Sequence, residues 1–348
     1  MYVYYTGGNV MNNDDVKLTD SNDNDDNGMH TTNYADAINY TNIKFYIPDD
    51  IPPEVSAYEA RLAQLDVGRS GKTGLLYLML ESDPIDGRTV IKEKFSKVPL
   101  VVLKAMYLEE SLPSMAYVYI MSPSGGILQG DRYRIDIMLK NKALLHVTTQ
   151  GATRIYRMNK NYATQMINIY VDKDCYMEYI PDQIIPYRDS RFYQKVNLNV
   201  HEHATLVYSE IIVPGRVARN EAFQYDICYM KTIARNQYGN IRFMDNVVLE
   251  PKKNNLKTMG ILGEHDVVGN IYIITKAEYV NTISEEINTT LKHFTNVVGG
   301  ATILPYDSGV IVRLLGSIAD DIRSFVYEAI RIVRRVVLNA RFSGIRKG

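Results

Sequence analysis

Across residues 98–251 apolar and polar positions alternate in short runs that recur at roughly ten-residue spacing, the signature of successive β-strands. The alternation is cleanest after Asp131. Tyr133, Ile135, Ile137 and Leu139 fall on one side, and Arg132, Arg134 and Asp136 on the other, which is the period of two of a half-buried strand. Asn141-Lys142 supplies a turn, and Leu144, His146 and Thr148 begin a return strand that ends at Gln150-Gly151. This stretch therefore reads as a hairpin. Further strand-like runs cover 163–171, 175–180, 196–200, 205–212 and 223–232, separated by turn signals such as Asn159-Lys160-Asn161, Asp172-Lys173-Asp174, Asp189-Ser190 and Pro214-Gly215. No helical period interrupts them. The pattern predicts an all-β body, whether sandwich, barrel or stack of strands.

The pattern changes near the C-terminus. A strand is expected over 270–275, and Thr282-Ile283-Ser284-Glu285 reads as a capping box opening a helix striped by Ile283, Ile287, Leu291 and Phe294. Two short strands (301–304 and 309–315) precede a second helix over 318–338. Its core face is Ile322, Phe325, Val326, Ala329, Val333 and Val336. Arg323, Arg331, Arg334 and Arg335 occupy much of the remainder, the later ones near the end where a helix dipole favours cations. This β-α-β-β-α section packs two helices on one sheet face. The whole reads as a mainly β chain: one domain over 45–348 behind a tail, residues 1–44, expected to be disordered. Asn and Asp dominate residues 12–27 of that tail, leaving too little apolar surface to offset ordering. Within it Asp23, Asp25, Asn27 and Gly28 imitate the front of a calcium loop, but Tyr34 stands where a bidentate Glu is required.

Composition narrows the function. A chain of 348 residues can bury a substantial core, and a net charge of −1 favours neither nucleic acid nor an anionic membrane. The sequence carries neither a long apolar run nor a basic-then-apolar leader, so no membrane contact and a cytoplasmic location are expected. The 27 tyrosines and absence of tryptophan suit alternating strands. Cys175 and Cys228 lie inside strand-like runs, as buried thiols of a reducing compartment do.

Catalytic machinery is not visible. Gly71-Lys72-Thr73 resembles the end of a nucleotide-binding loop, but Asp66 occupies the required earlier glycine, so a plain turn is expected. His201 and His203 flank Glu202 and form a weak two-point Ni²⁺ or Zn²⁺ ligand set, placed where one strand turns into the next. Cys-x-x-Cys, His-Glu-x-x-His and Gly-x-Ser-x-Gly motifs are all absent. Read from the residues, Asp131 caps a turn and Glu221 pairs with Arg216 or Arg219.

Four motifs in order carry a resemblance. They are Pro123, Gly125, Gly126, Gly130 and Asp131; then Thr149, Gly151, Ala152, Thr153, Tyr156 and Arg157; then Glu178-Tyr179-Ile180-Pro181-Asp182-Gln183; and Gly215-Arg216-Val217-Ala218-Arg219-Asn220-Glu221. Together they resemble the urease accessory protein family UreD, also called UreH. The resemblance implies an extended, helical pile of strands and a non-enzymatic role in urease maturation. It implies apo-urease and UreF as partners, with the GTPase UreG recruited through UreF. It also implies an internal water-filled passage for nickel in transit, with no tightly bound cofactor. On that reading Asp131, Glu178 and Glu221 are waypoints and Thr149 and Thr153 polar lining, since carboxylates attract a divalent cation without holding it as thiolates would. Arg331, Arg334 and Arg335 offer a docking face for an acidic partner patch. Two residues depart from the family pattern, Gln129 before Gly130-Asp131 and Asn220 before Glu221, each where glycine is usual. The rival readings are a metal-dependent hydrolase and a β-rich interaction scaffold with no metal role.

Overall fold

A computed structural model describes residues 40–59 and 71–345. Most of the predicted tail, including the calcium-loop imitation, lies outside the described residues. Its C-terminal end does not: the Tyr40 ring packs 5.0 Å from Phe95, and Asn42 accepts a hydrogen bond from the Lys44 amide (3.0 Å). Tyr40 and Asn42, assigned from the sequence to the tail, thus lie within the described structure, with Tyr40 against the body.

The first strands are β1 (Thr73–Ser82), β2 (Thr89–Lys97), β3 (Ala116–Ile120), β4 (Arg132–Lys140), β5 (Leu144–Thr149) and β6 (Thr153–Ile155). Next come β7 (Ala163–Val171), β8 (Tyr176–Tyr179), β9 (Ile184–Pro186), β10 (Arg191–Val200) and β11 (Thr205–Ile212). The last are β12 (Ile227–Arg235), β13 (Ile241–Leu249), β14 (Val267–Ile274), β15 (Val297–Ile303) and β16 (Gly309–Gly316). Three helices join them: a single turn, α1 (Pro53–Ser56), then α2 (Ala277–Leu291) and α3 (Ala319–Leu338). The strands form two sheets. One has seven strands in the order β13-β12-β10-β7-β4-β1-β2; the other has nine, following β15-β16-β14-β11-β8-β5-β3 with β9 beside β11 and β6 beside β9.

The apparent hairpin is not one. β4 belongs to the seven-stranded sheet and β5 to the nine-stranded sheet, and Asn141 and Lys142, at φ 53° and 59°, carry the chain from one to the other. β7 and β8, then β10 and β11, repeat the step. Consecutive rungs stack in parallel, so Leu76, Ile135, Ile167 and Val196 stand side by side in register, as do Leu78, Ile137, Ile169 and Leu198. An arch between sheets and a hairpin within one show the same alternation, so period alone could not separate them. The fold is the stacked β body that the family resemblance implied.

The nine-stranded sheet is buried on both faces, and every residue of β11 and β14 is buried. Its inner face meets the other sheet through Leu145, Val147, Met177, Leu206 and Ile274. Its outer face lies under α2 and α3, against Val280, Ile283, Ile287, Phe325, Val326 and Val333. The C-terminal β-α-β-β-α order is as expected. However, α2 starts at Ala277 after Lys276, so Thr282 to Glu285 lie in its interior and form no capping box. Among the described residues, no helix is long and apolar enough to cross a membrane.

Candidate functional site

Between the sheets lies a cavity of about 260 Å³. Its mouth is formed by the Ser122–Ile127 loop and the turn from Thr149 to Arg154. Gly126 is required there: a Cβ would stand 2.5 Å from the Arg154 carbonyl oxygen and 2.7 Å from the Tyr156 ring. Thr149 and Thr153 are among its lining residues, and the Thr149 hydroxyl accepts a hydrogen bond from the Asp182 amide (2.9 Å). Gly125 and Gly151 lie in the same rim.

The inner wall is polar for a reason of register. Gln165 and Gln194 are partners on adjacent strands, two residues before Ile167 and Val196 of the apolar ladder and so on the same face, and the Gln165 Nε2 donates to Gln194 Oε1 (3.3 Å). Gln194 Nε2 then donates across the gap to the Tyr208 hydroxyl (3.1 Å). Two residues on, Glu210 points the same way. It is 2 % exposed; its Oε1 accepts from Thr232 Oγ1 (3.2 Å), and its Oε2 is buried with no hydrogen-bond partner. Burial, reinforced by the nearby charge of Asp245, pushes the Glu210 carboxyl up to about 7, opposed by the neighbouring polar groups of Tyr208, Thr232 and Asn270. Beyond it, Tyr272 donates to Asp245 Oδ2 (2.5 Å), which also pairs with Arg313 Nη2 (2.5 Å).

The carboxylates singled out from the sequence stand elsewhere. Asp131 is buried, and four donors saturate it: the amides of Gly71 and Lys72 on Oδ1, the Leu128 amide and the Tyr133 hydroxyl on Oδ2, all at 2.8–3.1 Å. It clamps the Gly71-Lys72 turn to the Gly130 loop, which is the capping role, and it is not in the cavity wall. Burial raises its carboxyl above the usual range despite those donors. Glu178 faces the opposite side of its sheet. Arg334 of α3 holds it with two bonds (Nε to Oε1, 2.6 Å; Nη2 to Oε2, 2.7 Å), Tyr176 donates to Oε1 (2.7 Å), and His146 Nδ1 lies 2.5 Å from Oε2. Burial disfavours its charge, but Arg334 and then His146 outweigh that and hold it at about 2. Glu221 forms a two-bond pair with Arg216 at the part-exposed surface (2.6 and 2.7 Å), and Arg216 lies 4.0 Å over the Tyr187 ring. None of these three has a carboxylate oxygen directed into the cavity.

Arg334 is fully buried on Glu178 and takes no part in an outer face, because α3 turns that position toward the sheet. Arg331 and Arg335 are exposed but ion-paired, with Glu328 and Glu286. His201 and His203 lie in a surface turn, where the Nδ1 of His201 accepts the His203 amide (3.0 Å). Among the described residues, no three His, Cys, Asp or Glu side chains converge as metal ligands do. Both cysteines are free and buried, and burial pushes their thiols up to about 11 (Cys175) and about 12 (Cys228). Asn220 adopts the left-handed backbone (φ 54°) usually reserved for glycine, and Gln129 uses its side chain to accept the Lys160 amide (2.7 Å).

Sequence reasoning missed Glu210. The signal was present in Thr205–Ile212, where alternation sets Glu210 on the same side as Leu206, Tyr208 and Ile212. A carboxylate on the inner face of a doubly buried strand needs an explanation.

With this geometry in place, comparison with known proteins is decisive. The family described as UreD urease accessory protein matches residues 72–346. The chain belongs to the UreD family. It is 43% identical over 286 residues to a urease accessory protein UreD of Cenarchaeum symbiosum, covering 82% of this chain and 100% of that one. It is 36% identical over 289 residues to UreD 2 of Brucella suis biovar 1, covering 82% and 95% respectively. For a UreD of Yersinia pseudotuberculosis the figures are 34% over 288 residues, 82% and 89%. Membership of UreD makes the protein a urease accessory protein.

Proposed function

We propose that this UreD-family chain is a non-catalytic maturation factor that gives nickel a protected route to apo-urease. In this reading it binds the urease subunits and UreF, and through UreF the GTPase UreG, and it hydrolyses no nucleotide itself. The single observation that carries the reading is the partly polar cavity inside an otherwise apolar sheet-to-sheet core, with Glu210 at its inner wall and an unused carboxylate oxygen. Leaving a buried carboxylate incompletely bonded costs stability, and such groups mark places where something other than packing is served. Nickel is the cargo. Oxygen donors such as Thr149, Thr153 and Glu210 attract a hard or borderline divalent cation, yet bind Ni²⁺ less tightly than thiolate or imidazole clusters. Asp131, Glu178 and Glu221 have no place on this route, because protein donors already occupy their oxygens.

The test is reconstitution. Apo-urease subunits, UreF and UreG are expressed with and without this chain, and urease is then isolated and its nickel measured. Nickel-loaded urease only when the chain is present, together with co-purification of all partners, is the expected result. Equal loading without it would overturn the reading.

A further inference from the structure

The outer face of the seven-stranded sheet, turned away from the cavity, carries a row of cations. Lys195 of β10 and Lys231 of β12 are direct register partners, and Arg134 of β4 lies further along the row, across Met166 of β7. Arg134 has a counter-ion within the sheet, Asp136 at 2.8 Å. The lysines do not. Among the described residues, their ion pairs are with Asp49 and Asp50 alone. Like charges directly opposite on neighbouring strands repel, and more strongly out of water. The Lys195 and Lys231 side chains are only 9% and 16% exposed, so their juxtaposition calls for an anion between them.

Residues 45–58 supply that anion by crossing this face as a strap. Asp50 bridges the pair, one oxygen on Lys195 Nζ (2.8 Å) and the other on Lys231 Nζ (2.6 Å). Asp49 accepts a further bond from Lys195 (2.5 Å). Burial disfavours the Asp50 charge, but the two lysines outweigh it and hold the carboxyl below its usual range. On either side the strap seats apolar groups. Phe45 lies 3.9 Å from the Arg134 guanidinium, and Val55 packs with Tyr162, Tyr193 and Ile227. Ile47 and Pro52 are extended, and Pro48, Pro52 and Pro53 limit the freedom lost when such a segment docks. The strap precedes the span matched by the UreD family, which starts at residue 72, whereas both lysines lie inside that span. A basic, tyrosine-lined groove of the family body is thus filled by an acidic extended segment from outside the matched span.

We propose that this groove docks an acidic, extended, proline-flanked segment of a partner protein, and that residues 45–58 are an intramolecular stand-in which the partner displaces. Charge complementarity sets the partner's chemistry: two adjacent ammonium groups take paired carboxylates, with Tyr193 and Tyr229 as aromatic seats beside them. Exchange is open from solvent, because the Asp49 and Asp50 side chains are 87% and 35% exposed. An incoming carboxylate reaches the lysines before the strap has left, and the ion pairs that one segment gives up the other restores. The groove is independent of the cavity, which Gln194 lines from the opposite face of β10, and its occupation requires no nickel.

The experiment follows the fluorescence anisotropy of a labelled peptide, residues 45–58 of this sequence, added to the full chain. Asp49→Asn/Asp50→Asn loosens the strap and should bind the peptide at least tenfold more tightly than the wild-type chain does. Raised salt should weaken that binding, and adding Lys195→Met/Lys231→Met should abolish it. A second peptide, of unrelated sequence but with two adjacent carboxylates between prolines and an aromatic residue at each end, should also prefer the Asp49→Asn/Asp50→Asn chain. Equal binding by the variant and the wild type, with the fold intact in thermal unfolding, would overturn the proposal. Binding of the strap peptide alone would also overturn it, since the groove would then fasten only the chain's own segment. If the double variant does not accumulate, Asp49→Asn alone serves: tighter binding of both peptides supports the groove, and unchanged binding overturns it.

Discussion

Glu178 and Glu210 lie on neighbouring strands of one sheet, both fully buried, and point to opposite faces. Under the helices, Glu178 receives a two-bond guanidinium, a tyrosine hydroxyl and an imidazole, and ionises at about 2. Between the sheets, Glu210 receives one threonine hydroxyl and is pushed up to about 7. The same side chain in similarly dry surroundings is thus a structural anchor on one face and an incompletely satisfied group on the other. Supply of donors, more than depth of burial, separates the two roles.

The largest break in this comparison comes from removing the anchor. Arg334→Met would leave Glu178 buried without its cation, and such a loss costs about 3–5 kcal/mol. Urea unfolding should register it; a change below about 1 kcal/mol would mean that the cluster does not fasten α3 to the sheet.

The pH dependence of stability should have opposite signs for the two residues. Glu178, depressed in the fold, contributes stability that is complete above 4.5 and is lost as pH falls toward about 2. Glu210, raised in the fold, costs stability that grows as pH rises from 4.5 and is complete above about 7. A carboxyl moved over that interval costs roughly 3 kcal/mol once ionised. Glu210→Gln should therefore match the wild type near pH 4.5 and become the more stable protein by pH 8, as followed by thermal unfolding. Parallel pH profiles for the two would contradict the assignment.

Smaller effects sharpen the contrast with surface pairs. Glu221→Gln breaks a part-exposed pair and should cost about 1 kcal/mol or less. Arg331→Glu with Arg335→Glu should barely move stability, since both residues are exposed and paired only with Glu328 and Glu286. If that face docks UreF, co-purification is lost while the fold persists; normal co-purification places the interface elsewhere.

Much of this was legible in the chain. The period of two marked Thr205–Ile212 and Ala163–Val171 at their observed bounds, and Asn220 was recognisable as a left-handed residue. What the period cannot carry is the destination of a turn: Asn141-Lys142 looks the same whether it closes a hairpin or bridges two sheets. For the same reason Arg334 read as an outward arginine, although the helix turns it onto Glu178, 156 residues away in sequence. Asp131 stands out beside Gly130 and Glu221 at the end of a glycine-led motif, and the structure gives them a turn and an ion pair to hold. Glu210 stood inside an ordinary strand, and only the partner sheet shows that its side chain faces a cavity.

The central claim, that the inter-sheet cavity rather than the motif carboxylates carries the cargo, is tested most directly by the nickel content of urease matured with Glu210→Gln. The substitution keeps shape and removes charge. The account predicts an intact, soluble complex with partners and nickel-poor urease, beside normal loading with Glu221→Gln. Fully loaded urease from the Glu210→Gln complex would contradict it.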